Sequence, residues 1–295
     1  MKIIDKLLII LISVVVLISI LSYSYIPPYF GSSFSSNNLV PDTWNFNELQ
    51  KIDKNLISAK NQANYSFVAY GDNRNSSGKF DELIKGINQK NILFSIDLGD
   101  MVDKGNINQY QPFVNQIKLS KAPVLTVIGN HELENDTKGS NYISIFGSTY
   151  YSFSLNNSYF IVLNNANLIR IDDEQMRWLQ DELQKSQNYK YRFVFMHVPL
   201  FDPQNATNKI EYDETALIDV NQAKQLNDLF DQYNVTMLFT SHIHAYYNGT
   251  WGKTPYIITG GAGAPLINST PDHSFYHYIL INVSDEGVNY QVIKF

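Results

Sequence analysis

Residue types that bind metal ions lie directly after short apolar runs along this chain. It has 295 residues and six histidines. Four histidines and four carboxylate or amide side chains lie at such positions, namely Asp72, Asp97, Asp100, Asn130, His131, His197, His242 and His244. Carboxylate and neutral imidazole are ligands for zinc, iron and manganese ions in sites built from oxygen and nitrogen donors. Their shared placement predicts a metal site, although any one of them alone is more typical of a turn, core or surface position.

The strands that must position these side chains alternate with amphipathic segments. Short apolar runs predict strands at 66–70, 92–96, 124–128, 159–163, 192–196 and 235–239. Helices are predicted at about 79–90, 107–119, 173–186 and 219–233, and further strands at 256–259, 277–283 and 288–293. This order predicts an α/β domain with two sheets. Ligands collect at the carboxyl ends of strands in open α/β folds, so the polar residues found there can converge.

Two local patterns bear on the site. In the sequence SHIH, His242 and His244 point to one face of an extended segment, because side chains alternate along a strand with a period of two. In the sequence GDNR, Asp72 and Asn73 are ordinary turn residues. The other strand ends supply partners that Asp72 lacks locally. We therefore predict that Asp72 is a metal ligand and that Asn73 is a turn residue.

Five ordered motifs resemble those of the calcineurin-like metallophosphoesterase family, which includes the purple acid phosphatases. The motifs are GDNR (71–74), LGDMVDKG (98–105), IGNHE (128–132), FMHVPL (195–200) and SHIH (241–244). The resemblance extends over roughly residues 65–262. It implies a four-layer α/β/β/α sandwich, with the active site at the strand ends and two bound divalent metal ions. Manganese, iron and zinc all tolerate such mixed ligands.

The resemblance also implies a role for each motif residue. Asp100 is similar to the carboxylate that bridges the two metal ions. Asp72 and His244 would bind the first metal, and the second would be bound by Asn130, His197 and His242. In the catalytic set, His131 resembles a histidine that contacts the substrate and protonates the leaving oxygen, Asp103 resembles its orienting carboxylate, and Lys104 stands near the phosphate position. Glu132 would support the ligands, and we interpret Asp97 as structural.

Arg74 marks a departure from the family pattern. The first motif usually carries a histidine ligand at this position, and the guanidinium of arginine stays protonated and cannot bind a metal ion. The first metal would therefore be bound more weakly than the second. Two interpretations of Arg74 remain open, a catalytic one in which it binds a phosphate oxygen and one in which it forms a salt bridge with a nearby carboxylate. Because Asp103 stands where purple acid phosphatases have a tyrosine, no tyrosinate–iron chromophore is predicted.

The chemistry implied is hydrolysis of phosphate esters. Two divalent cations can clamp the attacking and leaving oxygens and lower the pKa of bound water to about 7, which supplies hydroxide near neutral pH. The expected substrate is a phosphate-ester small molecule or a phosphorylated substrate. Two alternatives stay open, namely a phosphodiesterase or pyrophosphatase acting on nucleotides or lipid-linked substrates, and a catalytically weak extracellular binding domain. With a net charge of −6, the chain is not expected to carry a nucleic-acid-binding face, and no oligomeric state is predicted.

The N-terminal region predicts attachment to a membrane. Residues 7–26 contain no charge and are long enough to cross a bilayer as a helix, and Lys2 and Lys6 precede them, which places the following chain outside the cytoplasm. We predict an anchor at 1–26, a linker at 27–62 and the phosphoesterase domain at 63–295. If the segment is cleaved as a signal peptide, the domain would be secreted. Nine Asn-x-Ser/Thr sequences favour an exported, glycosylated domain.

Overall fold

The strands of the domain form two mixed sheets. The computed structural model of the chain describes residues 38–58, 64–204, 216–267 and 270–295. The strands are β1 (Tyr65–Tyr70), β2 (Phe94–Asp97), β3 (Val124–Thr126), β4 (Tyr151–Leu155), β5 (Ser158–Val162), β6 (Tyr191–Phe195), β7 (Met237–Thr240), β8 (Tyr246–Trp251), β9 (Thr254–Thr259), β10 (His277–Val283) and β11 (Val288–Lys294). The helices are α1 (Trp44–Ser58), α2 (Lys79–Ile87), α3 (Ile107–Ile117), α4 (Asn130–Leu133), α5 (Ser140–Phe146), α6 (Asp173–Ser186) and α7 (Val220–Gln232).

Both sheets have a parallel centre, which brings strand ends to a common edge. The first sheet has the order β11-β10-β1-β2-β3, and the second has the order β4-β5-β6-β7-β9-β8. Strands β1, β2 and β3 are parallel to one another, as are β5, β6, β7 and β9. The remaining strands are antiparallel: β10 lies between β1 and β11, β4 pairs with β5, and β8 pairs with β9. The predicted metal ligands thus follow β1, β2, β3, β6 and β7 at corresponding ends.

The alternation of side chains along each strand separates three apolar layers. In β1, Phe67 and Ala69 belong to the core between the two sheets, whereas Val68 and Tyr70 pack outward against α2 and α3. In β5, Phe160 likewise faces the core between the sheets, and the residues beside it pack against α6 and α7 on the outside. Both faces of central strands such as β2 and β5 are therefore buried, as helices on the outer faces require. This is the predicted four-layer α/β/β/α arrangement.

Helix α1 covers the open edge of β3. Trp44 Nε1 donates a hydrogen bond to the carbonyl of Val124, and Asn45 Oδ1 and Glu48 Oε2 accept from the backbone N–H groups of Thr126 and Val124 at 3.0 and 3.2 Å. These side chains satisfy backbone groups that a neighbouring strand would otherwise pair, and so they block edge-to-edge association there. Residues 44–58 fall in the stretch for which the sequence predicts a linker. The structure corrects that expectation for this part of the range, because apolar side chains of α1 are buried in the core of the domain.

The strand and helix predictions hold in type, and apart from α1 the omissions are short elements. Strand β4 and helix α5, neither of which the sequence predicts, join β3 to the second sheet, and β8 forms a hairpin with β9. The predicted membrane segment 7–26 lies outside the described residues. Within the ranges that the structure describes, no helix is both long and apolar enough to cross a membrane.

Candidate metal centre

Three of the predicted metal ligands have left-handed backbone conformations. The φ angles of Asp72, Asp100 and His242 are 62°, 57° and 67°. Such values are uncommon for residues other than glycine, and strained backbone of this kind is concentrated at functional sites. At Asp72 the conformation is fixed by a hydrogen bond of 3.0 Å from its backbone N–H to the carbonyl of Gly99. The sharp turns at these strand ends direct the side chains toward a common centre.

The side chains form two donor groups that share one carboxylate. Donor atoms of Asp72, Asp100 and His244 lie within 4.8 Å of one another, and so do those of Asp100, His197 and His242. Asp100 therefore belongs to both groups. Asn130 joins the second group, because its Oδ1 lies 3.0 Å from His197 Nε2.

Backbone carbonyls fix the orientation of two imidazole rings. His197 Nδ1 lies 2.8 Å from the carbonyl oxygen of Leu98, and His244 Nδ1 lies 2.7 Å from that of Pro265. A carbonyl only accepts, so each Nδ1 carries the proton and each Nε2 faces the carboxylates. Metal-binding histidines are commonly held this way, with the second ring nitrogen donating to an oxygen outside the site.

Asp72 presents an oxygen that lacks a partner. Its Oδ2 accepts hydrogen bonds from the Ser241 hydroxyl and, at 2.8 Å, from the backbone N–H of His242. Its Oδ1 is buried, has no hydrogen-bond partner among the described residues, and lies 3.4 Å from His244 Nε2. A buried anionic oxygen without a donor is costly unless a cation neutralises it. The donor set and this oxygen both fit a divalent metal ion.

The charges of the site also favour a cation. Burial opposes the charged form of His197, yet the neighbouring carboxylates of Asp100 and Asp72 raise its pKa to about 10. Burial likewise opposes charge on His244, and Asp72 still raises its pKa. Although burial would raise the pKa of Asp72, the facing His244 lowers it below the ordinary value. The two carboxylates thus favour positive charge here, and bound cations would replace the protons on the imidazoles.

The buried side chain of Glu132 braces the loops that carry the predicted ligands. Glu132 accepts hydrogen bonds from the backbone N–H groups of Asp100, Gly129 and Val102 at 2.9, 2.7 and 3.1 Å, which ties the loop after β2 to helix α4. Burial raises the pKa of Glu132 to about 7. Glu132 therefore holds the backbone at Asp100 and Gly129 in place.

Asn165 braces the turn that carries His197. Its Oδ1 accepts from the N–H groups of His197 and Val198 at 3.1 and 3.0 Å, and its Nδ2 donates to the carbonyl of Val198 at 2.7 Å. Sequence reasoning missed this residue. The signal was present, because Asn165 follows the fourth predicted strand just as the predicted ligands follow the others.

A family model described as calcineurin-like phosphoesterase matches residues 65–246. The chain belongs to this family. The match spans all five motifs and the strands that carry the metal centre, and it makes the chain a member of a family of hydrolases that act on phosphate esters. A search of curated proteins found no significant match.

Solved structures similar to this phosphoesterase share its fold at low sequence identity. A purple acid phosphatase from yellow lupin (Lupinus luteus) is 16% identical with a TM-score of 0.61, and the match covers 79% of this chain and 53% of the lupin protein. A dimetal phosphatase from Danio rerio is 13% identical with a TM-score of 0.58, covering 78% of this chain and 98% of that one. GAP50, described as the anchor in the inner membrane complex of Plasmodium, is 12% identical with a TM-score of 0.59, and the match covers 79% of this chain and 85% of GAP50. The chain thus spans about half the length of the lupin enzyme.

The predicted catalytic residues of this phosphoesterase lie close to one another, and His131 lies close to Asp100. His131 Nε2 lies 3.6 Å from Asp100 Oδ2, and its Nδ1 lies 2.7 Å from the backbone carbonyl of Asp103. The carboxylate of Asp103 is instead paired with Arg74 Nη2 at 3.0 Å. The structure therefore places the Asp103 carbonyl, not its carboxylate, on the histidine. Lys104 lies 3.7 Å from Glu134 at the half-exposed rim.

The position of Arg74 bears on its two interpretations. The salt bridge to a nearby carboxylate is present, with Asp103 as the partner. Arg74 Nη2 also lies 3.2 Å from His131 Nδ1, so the guanidinium sits beside the predicted proton donor. The Arg74 side chain is 25% exposed. Binding of a phosphate oxygen by Arg74 stays a prediction.

Proposed function

We propose that the chain hydrolyses phosphate esters at a site that holds two divalent metal ions, of manganese, iron, zinc or a similar element. The observation that carries the proposal is the sharing of Asp100 by two groups of donor atoms. Asp72 and His244 would complete the first metal site. Asn130, His197 and His242 would complete the second.

The metal ions resolve a conflict of charge. A phosphate ester is an anion, and this chain has a net charge of −6. When bound, two divalent cations would attract the phosphate group, stabilise negative charge on its oxygens, and make water acidic enough to act as the nucleophile. The ligand residues fix the place where the phosphorus atom would lie.

His131 is proposed to protonate the leaving oxygen. Since Nδ1 donates to the Asp103 carbonyl, the other ring nitrogen, Nε2, can hold a second proton on the side that faces Asp100. A proton delivered from Nε2 would neutralise the departing alkoxide, an effect worth roughly 10²- to 10⁴-fold in rate. The contact with the Asp103 carbonyl supports this role, because it keeps the ring turned toward the site.

Arg74 is proposed to bind a phosphate oxygen while Asp103 holds it in place. A guanidinium has five N–H donors, and Nη2 is the nitrogen that faces Asp103. Its remaining donors can bind an anion, and the guanidinium would then partly replace positive charge that a weakly bound first metal ion supplies incompletely. The closeness of Arg74 to His131 supports this proposal.

The test measures bound metal and turnover on the same preparation. Elemental analysis of the full chain is expected to find about two divalent ions per chain, in keeping with a two-metal site. Turnover of p-nitrophenyl phosphate above that of its bis-ester would support a phosphomonoesterase. The reverse order would favour the phosphodiesterase alternative. Absence of both metal and turnover would refute the enzyme and favour the weak binding domain.

Attachment to a membrane, with the catalytic domain outside the cytoplasm, is part of the proposal. It is supported by the uncharged run at 7–26 with Lys2 and Lys6 before it. Separation of membranes from the soluble fraction after expression of the full chain tests it. Full recovery of the uncleaved chain in the soluble fraction would refute the anchor.

A further inference from the structure

Ser241 lies at the end of β7 and contacts a predicted metal ligand from the other sheet. Ser241 and Asp72 are both 0% exposed. The Ser241 hydroxyl donates to Asp72 Oδ2, and its oxygen also lies 3.1 Å from the carbonyl of Thr259. The nearer, charged acceptor takes the single hydroxyl proton, because hydrogen bonds to carboxylates are shorter and stronger than those to neutral carbonyls. This contact joins the two sheets at the metal centre.

The surrounding backbone leaves room for this hydroxyl. A Cβ atom at Gly71 would collide with Ser241 Oγ, and one at Gly260 would lie 2.7 Å from Asp72 Oδ2. The residue before Asp72 and the one after Thr259 are thus both glycines at positions where a side chain would displace the hydrogen-bonded pair. The close approach of serine and carboxylate depends on both.

The hydroxyl determines which carboxylate oxygen faces the metal site. Asp72 Oδ2 receives two donors, from Ser241 and from the backbone of His242, whereas Oδ1 receives none and faces His244 Nε2. Without the serine donor, Oδ2 would keep one hydrogen bond, and rotation of the carboxylate would become easier. We propose that Ser241 is a positioning residue for the first metal ion, holding Asp72 so that its Oδ1 points into that site. This inference rests on the metal centre of the proposed function.

The first metal site has the greater need of such support. It has donor groups from three side chains, those of Asp72, Asp100 and His244, whereas Asn130 joins the second group as a further donor. Turning one of three ligands away from a metal ion removes a larger share of the metal-binding free energy than turning away one of four. Loss of a side chain that orients a metal ligand typically lowers metal affinity 10- to 100-fold. We expect the whole of that loss at the first site.

The test is a calorimetric titration of the metal-free full chain with Mn²⁺. Two binding steps are expected, and the step that His244→Ala abolishes identifies the first site, while the step that His242→Ala abolishes identifies the second. Ser241→Ala should weaken the first step about 10- to 100-fold and leave the second within about twofold. An unchanged first step, or equal weakening of both steps, would overturn the proposal.

A neighbouring residue provides the matched control. Thr240→Val removes a buried hydroxyl one residue away, for which the described part of the chain offers no hydrogen-bond partner. It should leave both steps unchanged. If it weakens the first step as much as Ser241→Ala does, the effect is general to this strand and the proposal fails.

A second pair of variants tests the contact without relying on Ser241→Ala. Gly71→Ala should displace the hydroxyl and weaken the first step in the native background, but have little further effect in a Ser241→Gly background. Coupled changes of this kind are not additive when they act through one contact, so additive losses would overturn the proposal. Because no ester is present, the outcome is separate from that of the proposed function. A native chain that binds no Mn²⁺ would refute the metal centre itself.

Discussion

Replacement of Asn165 by alanine is expected to destabilise the domain and to weaken the second metal site together. The side chain is fully buried. It makes three hydrogen bonds, of 3.1 and 3.0 Å from the N–H groups of His197 and Val198 and of 2.7 Å to the carbonyl of Val198. All three hold the backbone of the turn that carries His197. The other hydrogen bonds of His197 described above involve its imidazole ring, so they do not hold this backbone.

The size of the effect follows from the groups left without partners. Asn165→Ala would leave two backbone N–H groups and one carbonyl buried and unpaired, at about 1–3 kcal/mol each. Because the three groups share one turn and can relax together, their costs do not add fully, and we expect a loss of about 3–5 kcal/mol. That is a large part of the 5–15 kcal/mol by which domains are typically stable. The affinity of the second metal site should fall about 10- to 100-fold, as for other residues that orient a ligand.

The assay is equilibrium unfolding in urea of the metal-free protein, with the Mn²⁺ titration on the same variant. Asn164→Ala is the matched control, because that neighbouring asparagine is half-buried and its Oδ1 accepts one local hydrogen bond, from Ala166 at 3.1 Å. The control should cost about 0.5–1.5 kcal/mol and leave both metal sites intact. Equal stability losses in the two variants, or an unchanged second site in Asn165→Ala, would refute the reasoning.

Three further outcomes are expected. His277 is buried with its pKa lowered to about 4, by burial above all. The unfolded chain therefore takes up a proton that the folded chain does not, and the free energy of unfolding falls as the pH drops through 6.5. In urea unfolding, the native chain should lose roughly 2 kcal/mol more stability between pH 7 and pH 5 than the His277→Phe variant loses. Equal losses in the two proteins would refute this. Ile52→Ala should cost about 2–5 kcal/mol in the same assay, because α1 is packed in the core, whereas a cost below 1 kcal/mol would mean that α1 is loosely attached. Arg74→Ala should lower kcat/KM for p-nitrophenyl phosphate at saturating metal, and an unchanged value would refute phosphate binding by Arg74.

The elements and the donor residues could be predicted because their signals are local. Apolar runs of four to six residues and helical periodicity reflect the burial of one strand or helix face, whichever partner covers it. The predicted ligands share the carboxyl ends of these strands, so Asp72, Asp100 and His197 could be proposed as ligands before their neighbours were known. Helix α1 was harder to place, since its polar composition is typical of a linker. Its function at the edge of β3 appears only in the tertiary structure, where its side chains pair with backbone groups of Val124 and Thr126 that no neighbouring strand pairs.

The partners of each side chain depended on the tertiary structure. Asp72 and Ser241 are 169 residues apart in the chain, and His197 and Leu98 are 99 residues apart. Contacts over such separations are set by the order and register of the strands in two sheets, which no short pattern encodes. The same holds for Asp103, whose carboxylate turned toward Arg74 and left its carbonyl to His131.

The sequence by itself determined the family, the order of the main elements and the chemical types of the predicted metal donors, because each is expressed in residues close together along the chain. Only the tertiary structure decided that Asp100 is shared between two donor groups, that Asn165 braces the turn of His197, and that Ser241 leaves one oxygen of Asp72 facing the first site. The physical reason is that hydrogen bonds and metal geometry depend on distances of about 3 Å. Those distances are fixed when the two sheets pack against each other.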